Sequence, residues 1–279
     1  MKVYHQQKNL LITIILLFAF VMSNASGEAK KSIQPIKQKA GYMAKKPHIV
    51  FLITKDTNNY EAHNTVPRFA ETLEKEHGYE VTVLLGTGDH GSYRYPSMDA
   101  LSQADLLVVF ARRIALPHEQ MNAIKTYLSK GKPLIGIRTA NHAFAVQGKI
   151  ADVADGFEDW PDFVADFLGC QNRGYGPDAL GFDVTVVPEA ANHPIVKDLQ
   201  IKQWHSKGGI YKVAPLLDKE ATVLLMGKVN DLVEPIAWTR TAGKSRVFYI
   251  SIGYPDDFQT QHFITLLTSG IKWALDKKE

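Results

Sequence analysis

The chain reads as an α/β protein: a doubly wound, mostly parallel sheet in a single domain. Three observations predict this. Short apolar runs that read as buried strands recur along the body. Segments with helical spacing separate the first of them, so strand and helix alternate. Nothing between Pro47 and Leu275 resembles an interdomain linker, which favours one domain.

Before the domain comes a segment of a different kind. Lys2 and Lys8 make a basic start, Leu10 to Met22 is a continuous apolar run, and Ser23-Asn24-Ala25 supplies small residues for cleavage. That is the order of a secretory signal peptide, expected over residues 1–25. The run is short for a bilayer span, although an uncleaved N-terminal anchor is the competing reading. No cysteine follows it, so lipid attachment at the cleavage point is excluded. Residues 26–46 read as a Lys-rich flexible spacer and 47–279 as the domain.

Charge divides accordingly. The whole chain carries 32 Lys+Arg against 29 Asp+Glu, but the body from Pro47 onward has 24 against 28. The basic excess belongs to the tail. A nucleic-acid-binding domain would carry its basic face on the folded part, so that function is discounted. Cys170 is the only cysteine, so no internal disulfide forms, and it reads as a small buried hydrophobe.

The elements follow in order. Ile49 to Ile53 is the first strand, closed by Thr54-Lys55-Asp56, and 58–61 is a turn. Val66 to Glu76 has helical spacing, with Val66, Phe69, Ala70 and Leu73 on one face; His77-Gly78 ends it. Tyr79 to Leu85 is the second strand and 86–96 a loop rich in Gly, Asp and Tyr. Asp105 to Ala111 is the third strand and runs into Arg112-Arg113. Pro117 to Lys130 is a helix with Met121, Ile124, Tyr127 and Leu128 inward. Gly131-Lys132-Pro133 punctuates the approach to the fourth strand, which stops at Arg138. Asp162 to Leu168 reads as a short helix and Phe182 to Val187 as a half-exposed strand. Gln203 to Val213, Thr222 to Lys228, Pro235 to Arg240 and Arg246 to Ile252 are further strands. Phe263 to Leu275 closes the chain as a helix.

In an open α/β sheet, ligands bind beyond the carboxyl ends of the strands. If four strands are parallel, that edge receives Lys55 and Asp56, then Arg112 and Arg113, then Arg138 with His142, then Asp256 and Asp257. Histidine, arginine and aspartate supply a base or acid, an oxyanion stabiliser and an orienting carboxylate. His142, Arg138 and Asp257 are therefore the expected catalytic group. Lys55, Asp56, Arg112, Arg113, Ser206, Tyr211 and Asp256 are expected to hold substrate. The competing account pairs Arg138 with a carboxylate and makes His142 a helix cap. Trp160, Trp204 and Trp238 offer stacking faces or simple packing. His63, His142, His193 and His205 lack metal-ligand spacing and read as capping or solvated residues, so neither metal nor cofactor is expected. Asn192-His193-Pro194 reads as a turn.

Several stretches carry a resemblance: 136–144 (Gly-Ile-Arg-Thr-Ala-Asn-His-Ala-Phe), Asn192 to Ile195, Gly209 to Val213, Glu234 to Thr239 and Arg246 to Phe258. From about Pro47 to Leu275 the chain resembles the ThuA-like (trehalose-utilisation) proteins of the class I glutamine amidotransferase-like fold, in a secreted bacterial branch. The resemblance implies a flavodoxin-like sheet and a role in carbohydrate metabolism on oxidised (keto) disaccharides. Amidotransferases of this fold place a nucleophilic Cys at the elbow after a strand, in a Gly-x-Cys-x-Gly setting. Here Gly136-Ile137-Arg138-Thr139-Ala140 stands there, and arginine is no nucleophile. Relatives often carry His at that position, so Arg138 marks a departure from them too. Glutaminase activity is not expected. Ser206 as a substitute nucleophile is disfavoured, because His205 beside it in a strand points to the opposite face.

The expected function is a periplasmic carbohydrate-processing protein, acting on a keto-disaccharide or related sugar by His/Arg-assisted proton transfer: isomerisation, elimination or hydrolytic cleavage. The alternative is a non-catalytic sugar-binding or accessory protein. The expected partner is a small carbohydrate, with no nucleic acid and no stable membrane insertion after cleavage; the oligomeric state is open. The leader makes the first testable prediction. The mature chain begins near Ser26, and N-terminal sequencing that finds Met1 retained on membrane-bound protein overturns it.

Overall fold

A computed structural model of the chain describes residues 45–276 except Gln147 and Lys149. The expected signal peptide, and all of the expected spacer but Lys45 and Lys46, lie outside the described residues. None of the described helices is long and apolar enough to cross a membrane.

Strands and helices alternate through the first half: β1 (His48–Ile53), α1 (Ala62–His77), β2 (Glu80–Leu85), α2 (Asp99–Gln103), β3 (Leu106–Phe110), the two-residue β4 (Leu116–Pro117), α3 (His118–Ser129) and β5 (Leu134–Ile137). The two-residue β6 (Phe157–Glu158) pairs with β4. Then come β7 (Phe182–Val186), β8 (Gln203–Ser206), β9 (Thr222–Val229), β10 (Leu232–Ala242), β11 (Ser245–Ile250) and α4 (Gln261–Leu275). One nine-stranded sheet has the order β2-β1-β3-β5-β11-β10-β9-β7-β8. The first five strands are mutually parallel. The last four continue the sheet antiparallel.

Burial follows from the residue pattern. All six residues of β1 and all five of β3 are buried, as strands covered on both faces must be. Ile49, Phe51 and Ile53 join a core with Val66, Phe69 and Leu73 of α1 and Phe263, Leu266 and Ile271 of α4. Val50 and Leu52 face the other core, with Leu101 of α2 and Met121, Ile124 and Leu128 of α3. By contrast β7 alternates buried and exposed residues, as a half-exposed strand does.

Register aligns the parallel strand ends. Ile53 lies opposite Phe110, Val109 opposite Gly136, and Ile250 opposite Ile137. Continuing each strand by a residue or two brings Thr54, Ala111, Arg138 and Ser251 to one edge. These four adjacent strands therefore end at one edge, where the segments that carry Lys55, Arg112 and Arg138 begin.

Four elements differ from the sequence reading. Helix α1 begins at Ala62, before the first residues with clear apolar spacing. Its polar first turn is held by the Asn64 and Thr65 N–H groups on the Glu61 carbonyl, at 2.8 and 3.0 Å. Helix α2 has only five residues, too short to show periodicity. The expected helix at 162–168 is a π-helical turn, Val164–Leu168. Strand β8 stops at Ser206, where the expected strand continued to Val213. Gly208 and Gly209 break it, and Ile210 and Lys212 pair instead with 173–176.

Helix α4 packs directly on the sheet at Gly270. A Cβ there would lie 2.5 Å from Cε1 and 2.6 Å from Cδ1 of the buried Phe248 ring. Alanine is the better helix former by about 1 kcal/mol, but overpacking a filled core costs about 1–3 kcal/mol. Gly270→Ala should therefore destabilise the protein. A urea denaturation midpoint equal to or above the parent's would show that the contact relaxes freely.

Candidate active site

Arg138 opens the turn that follows β5. It has no solvent exposure, and its φ is +46°, a left-handed conformation that non-glycine residues adopt at a cost. Its guanidinium carbon lies 3.9 Å from the Tyr60 ring centroid and 4.9 Å from that of Tyr211. Nη1 donates to the Ser251 carbonyl at 2.8 Å and Nη2 to the Gly209 carbonyl at 3.2 Å. Tyr249 Oη donates to the Arg138 carbonyl at 2.8 Å. The backbone of Gly208 packs on the guanidinium so closely that a Cβ would fall 2.6 Å from Nη2. The expectation that Arg138 faces substrate is thus corrected. Two aromatic faces and two carbonyls cage the cation.

His142 closes the same turn and is 3% exposed. Its Nδ1 lies 2.5 Å from Asn141 Oδ1 and 2.9 Å from Asn172 Nδ2. The Tyr175 and Tyr211 rings stand edge-on to it, with centroids 6.2 and 5.9 Å away. Nε2 makes no hydrogen bond among the described residues. Burial is the main reason its pKa lies well below the ordinary histidine value of 6.5; the positive charges of Arg113, Arg112 and Arg138 add to it.

Asn59, fully buried, clamps three strand ends. Its Nδ2 donates to the Thr54 and Phe110 carbonyls at 3.0 and 2.9 Å, and its Oδ1 accepts from Thr139 Oγ1 at 2.5 Å. Beside it, Asp56 pairs with Arg112 Nη1 at 3.3 Å and with His90 Nε2 at 3.0 Å. His90 Nδ1 lies 2.8 Å from the Arg113 carbonyl. Arg113, itself left-handed at φ +45°, donates Nη1 to the Ala145 carbonyl at 3.0 Å. Lys55 is exposed. Lys55, Asp56, His90, Tyr93 and Arg112 line a pocket of about 210 Å³ at the ends of β1 and β3. Lys55, Asp56 and Arg112 therefore meet at one concavity, and Arg113 bridges it to His142 through its N–H on the His142 carbonyl at 3.2 Å.

The aspartates are placed otherwise than expected. Asp257 Oδ2 accepts from Ser206 Oγ and the Gly253 and Tyr254 N–H groups at 3.0, 3.0 and 2.8 Å. It anchors the turn after β11 and does not reach the imidazole, where Asn141 and Asn172 stand instead. Burial raises its pKa despite those donors. Ser206 is fully buried against it, and Tyr211, 1% exposed, packs on the Arg138 guanidinium and the His142 ring. Asp256 makes a surface pair with Lys207. His205 pairs with Asp183 on the opposite side of β8 from Ser206.

The tryptophans pack. Trp238 donates Nε1 to the Leu168 carbonyl at 2.8 Å, Trp204 stacks near His262, and Trp160 lies against Phe163 and Phe167. His193 sits in the expected turn, its Nδ1 accepting from the Ile195 N–H at 3.2 Å. Among the described residues no three His, Cys, Asp or Glu side chains gather as a metal site.

Several residues near the site escaped the sequence reading. Asn141 and Tyr60 lay inside stretches already singled out, as neighbours of His142 and of the first turn. His90 lay in the Gly-rich loop. Asn172 and Tyr175 had no local signal, because the pairing of 173–176 with 210–212 brings them in.

Comparison with known proteins now bears on this geometry. The family described as ThuA, trehalose utilisation, matches residues 50–274. The chain belongs to the ThuA family. Membership relates it to carbohydrate utilisation. A ThuA-like protein from Bacteroides uniformis is 18% identical, with a TM-score of 0.62 over 85% of this chain and 95% of that one. One from Parabacteroides merdae is 17% identical, with a TM-score of 0.61 over 84% and 93%. A cytoplasmic protein from Salmonella typhimurium is 14% identical, with a TM-score of 0.52 over 81% and 99%. Such identities establish the shared fold alone. A comparison with curated proteins found no match.

In this ThuA protein the residue in the left-handed turn after β5 is an arginine. The single thiol is elsewhere: Cys170 is buried in the core, and burial pushes its pKa to about 12. A thiol so placed is inert. The caged arginine yields a prediction about stability. Arg138→Met strands two buried carbonyls, each costing about 1–3 kcal/mol when unsatisfied, so the variant should lose about 2–6 kcal/mol. Arg138→Lys should recover only part of this, because an ammonium lacks the planar fork. Parent-like denaturation midpoints for both would show that the cage contributes nothing.

Proposed function

We propose that this ThuA protein processes an oxidised sugar at the C-terminal edge of its sheet, with His142 Nε2 as the base. The reading rests on one observation above others. His142 holds its Nδ1 against Asn141 and leaves Nε2 without a hydrogen bond among the described residues, amid three guanidiniums. A ketone acidifies the neighbouring C–H, and loss of that proton places negative charge on the carbonyl oxygen. A neutral imidazole can take the proton. Fixed cations can stabilise the oxygen. Arg112, 17% exposed beside Lys55, is the guanidinium placed to touch substrate. Arg138 acts from behind, through its charge. The family's tie to trehalose utilisation supports a disaccharide as the substrate class. The leader supports export, and with it a periplasmic site of action.

The pH dependence follows in sign from the depressed pKa. His142 stays neutral through the neutral range, so the acid limb of kcat/KM should lie below pH 6.5. Stability carries the same sign. Below pH 6.5 the unfolded chain binds a proton that the folded chain refuses, so stability present above that pH is lost as pH falls toward the folded pKa. His142→Ala should lower turnover by about 10²–10⁴-fold, the scale for a general base. Solvent deuterium should enter the sugar beside its ketone in the parent and not in the variant. The assay begins with a thermal-shift screen of oxidised and ordinary disaccharides. If the variant keeps full turnover on the substrate so found, His142 is not the base. If deuterium enters neither product nor recovered substrate, direct hydrolysis is the better account. A ligand bound equally by both proteins and never turned over would favour a binding role.

A further inference from the structure

Tyr175 is 44% exposed, yet its place is fixed. It forms an isolated antiparallel bridge with Tyr211, flanked by the Gly176 N–H on the Ile210 carbonyl at 2.8 Å and the Lys212 N–H on the Gly174 carbonyl at 2.9 Å. Those bonds belong to the neighbours of the pair, and in such a pair the two side chains leave one face of the ribbon at close range. The Tyr175 and Tyr211 rings meet at 70° with centroids 5.2 Å apart, and the His142 ring stands against both. Tyr211 in turn rests on the Arg138 guanidinium. The rings of His142, Tyr211 and Tyr175 thus run from the caged cation to the surface. His142 and Tyr211 are 3% and 1% exposed, and Tyr175 is the member that reaches solvent.

The hydroxyl does not hold this ring. Its contact with Asn172 Nδ2 is 3.5 Å, at the limit of a hydrogen bond. Backbone pairing and ring contacts do the positioning, which leaves a fixed apolar plane in water beside the proposed base. Apolar surface in water is unfavourable until something covers it. The surroundings restrict what can. Asn172 stands at the hydroxyl, and Gln171 and Arg173 are exposed on the same segment. A wholly apolar occupant would strip water from polar side chains without replacing it. A pyranose ring meets both demands. Its C–H groups make an apolar patch on the ring face, while its hydroxyls point outward around the rim, where amide groups can bond them. Tyrosine suits the task, because an amphipathic ring with two χ angles loses little entropy on contact.

We propose that Tyr175 contacts the substrate: its exposed ring stacks on a pyranose ring of the sugar and holds it beside His142. The role expected of Tyr211 passes to its bridge partner, with Tyr211 and Arg138 as the backing. The choice of a sugar rests on the carbohydrate-processing reading above, but the contact itself is measured by binding, without turnover.

The test is isothermal titration calorimetry of the full chain with trehalose, maltose and cellobiose and with the mono-keto form of each. The parent should bind at least one of these sugars. Tyr175→Ala should weaken that binding by about tenfold or more, the scale for truncating an aromatic anchor. Tyr175→Leu, apolar but without a plane, should weaken it likewise and guards against misfolding of the alanine variant. Tyr175→Phe, which keeps the plane, should bind as the parent does. In turnover the loss in Tyr175→Ala should fall on KM rather than kcat, because stacking is made in the ground and transition states alike. Parent-like binding by Tyr175→Ala overturns the proposal. An equal loss in Tyr175→Phe also overturns it, since the hydroxyl would then be the contact. So does a loss confined to kcat, which would make the ring a packing support for His142. Sugar affinity kept while a dimer is lost in sedimentation would assign the ring to a second copy of the chain and overturn it too. A parent that binds none of these sugars refutes the sugar reading together with the proposal. Weakened binding in Tyr175→Ala beside full turnover in His142→Ala refutes the base alone, so the failures are distinguishable.

Discussion

The site depends on a guanidinium held out of water without a carboxylate at hydrogen-bonding distance. Removing such a charge from solvent costs several kcal/mol unless other groups replace the water. Here the replacement comes from three parts of the chain at once. Tyr60 comes from the turn after β1, Gly209 and Tyr211 from the segment after β8, and Ser251 from the end of β11; Arg138 itself follows β5. A desolvated cation over an aromatic face is worth about 2 kcal/mol or more. No pair of these segments can shift without exposing the charge or unpairing a carbonyl. The cage therefore fixes the turn 138–142, and with it the position of His142.

The strained elbow belongs to the same arrangement. A left-handed non-glycine residue persists only where its surroundings over-determine it. At Arg138 the Tyr249 hydroxyl holds the carbonyl while the cage holds the side chain. The turn after β5 thus directs an arginine inward, and His142 closes the same turn four residues onward.

The parallel half of the sheet was legible because its signal is local. Ile49–Ile53, Leu106–Phe110 and Leu134–Ile137 are apolar on both faces, and the polar residues that stop them mark the edge where ligands bind. The residues at that edge were legible as a set, but their orientations were not. Arg138 points into its cage since Tyr60 and Tyr211, 78 residues before it and 73 after, close over it; nothing at position 138 encodes that. Asp257 turns to Ser206 and the Gly253 and Tyr254 amides, and the imidazole's partners come from Asn141 and from Asn172 across an irregular pairing that no periodicity marks. Strand β8 was overextended for the same reason, because Gly208 and Gly209 serve the cage rather than the sheet.

A cationic surround has a double effect on the proposed chemistry. The guanidiniums that lower the His142 pKa also favour an enolate oxygen. Moving a proton from carbon to Nε2 creates an imidazolium and an enolate together, so the net charge of the site does not change. A uniform positive potential would then contribute nothing, since what it gives the enolate it takes from the imidazolium. Only a difference in potential between the two positions lowers the barrier, at 1.36 kcal/mol for each pKa unit of differential interaction. The productive arrangement places cations nearer the oxygen than the ring. Arg138, caged behind the turn, is fixed relative to both. Arg112 and Lys55 line the pocket at the ends of β3 and β1. Asp56, itself paired with His90, holds Arg112 Nη1 there. A sugar seated with its ketone toward that pocket and its acidic C–H toward Nε2 would take the stabilising charge at its oxygen, and the depressed basicity of His142 would be offset by the easier ionisation of the substrate.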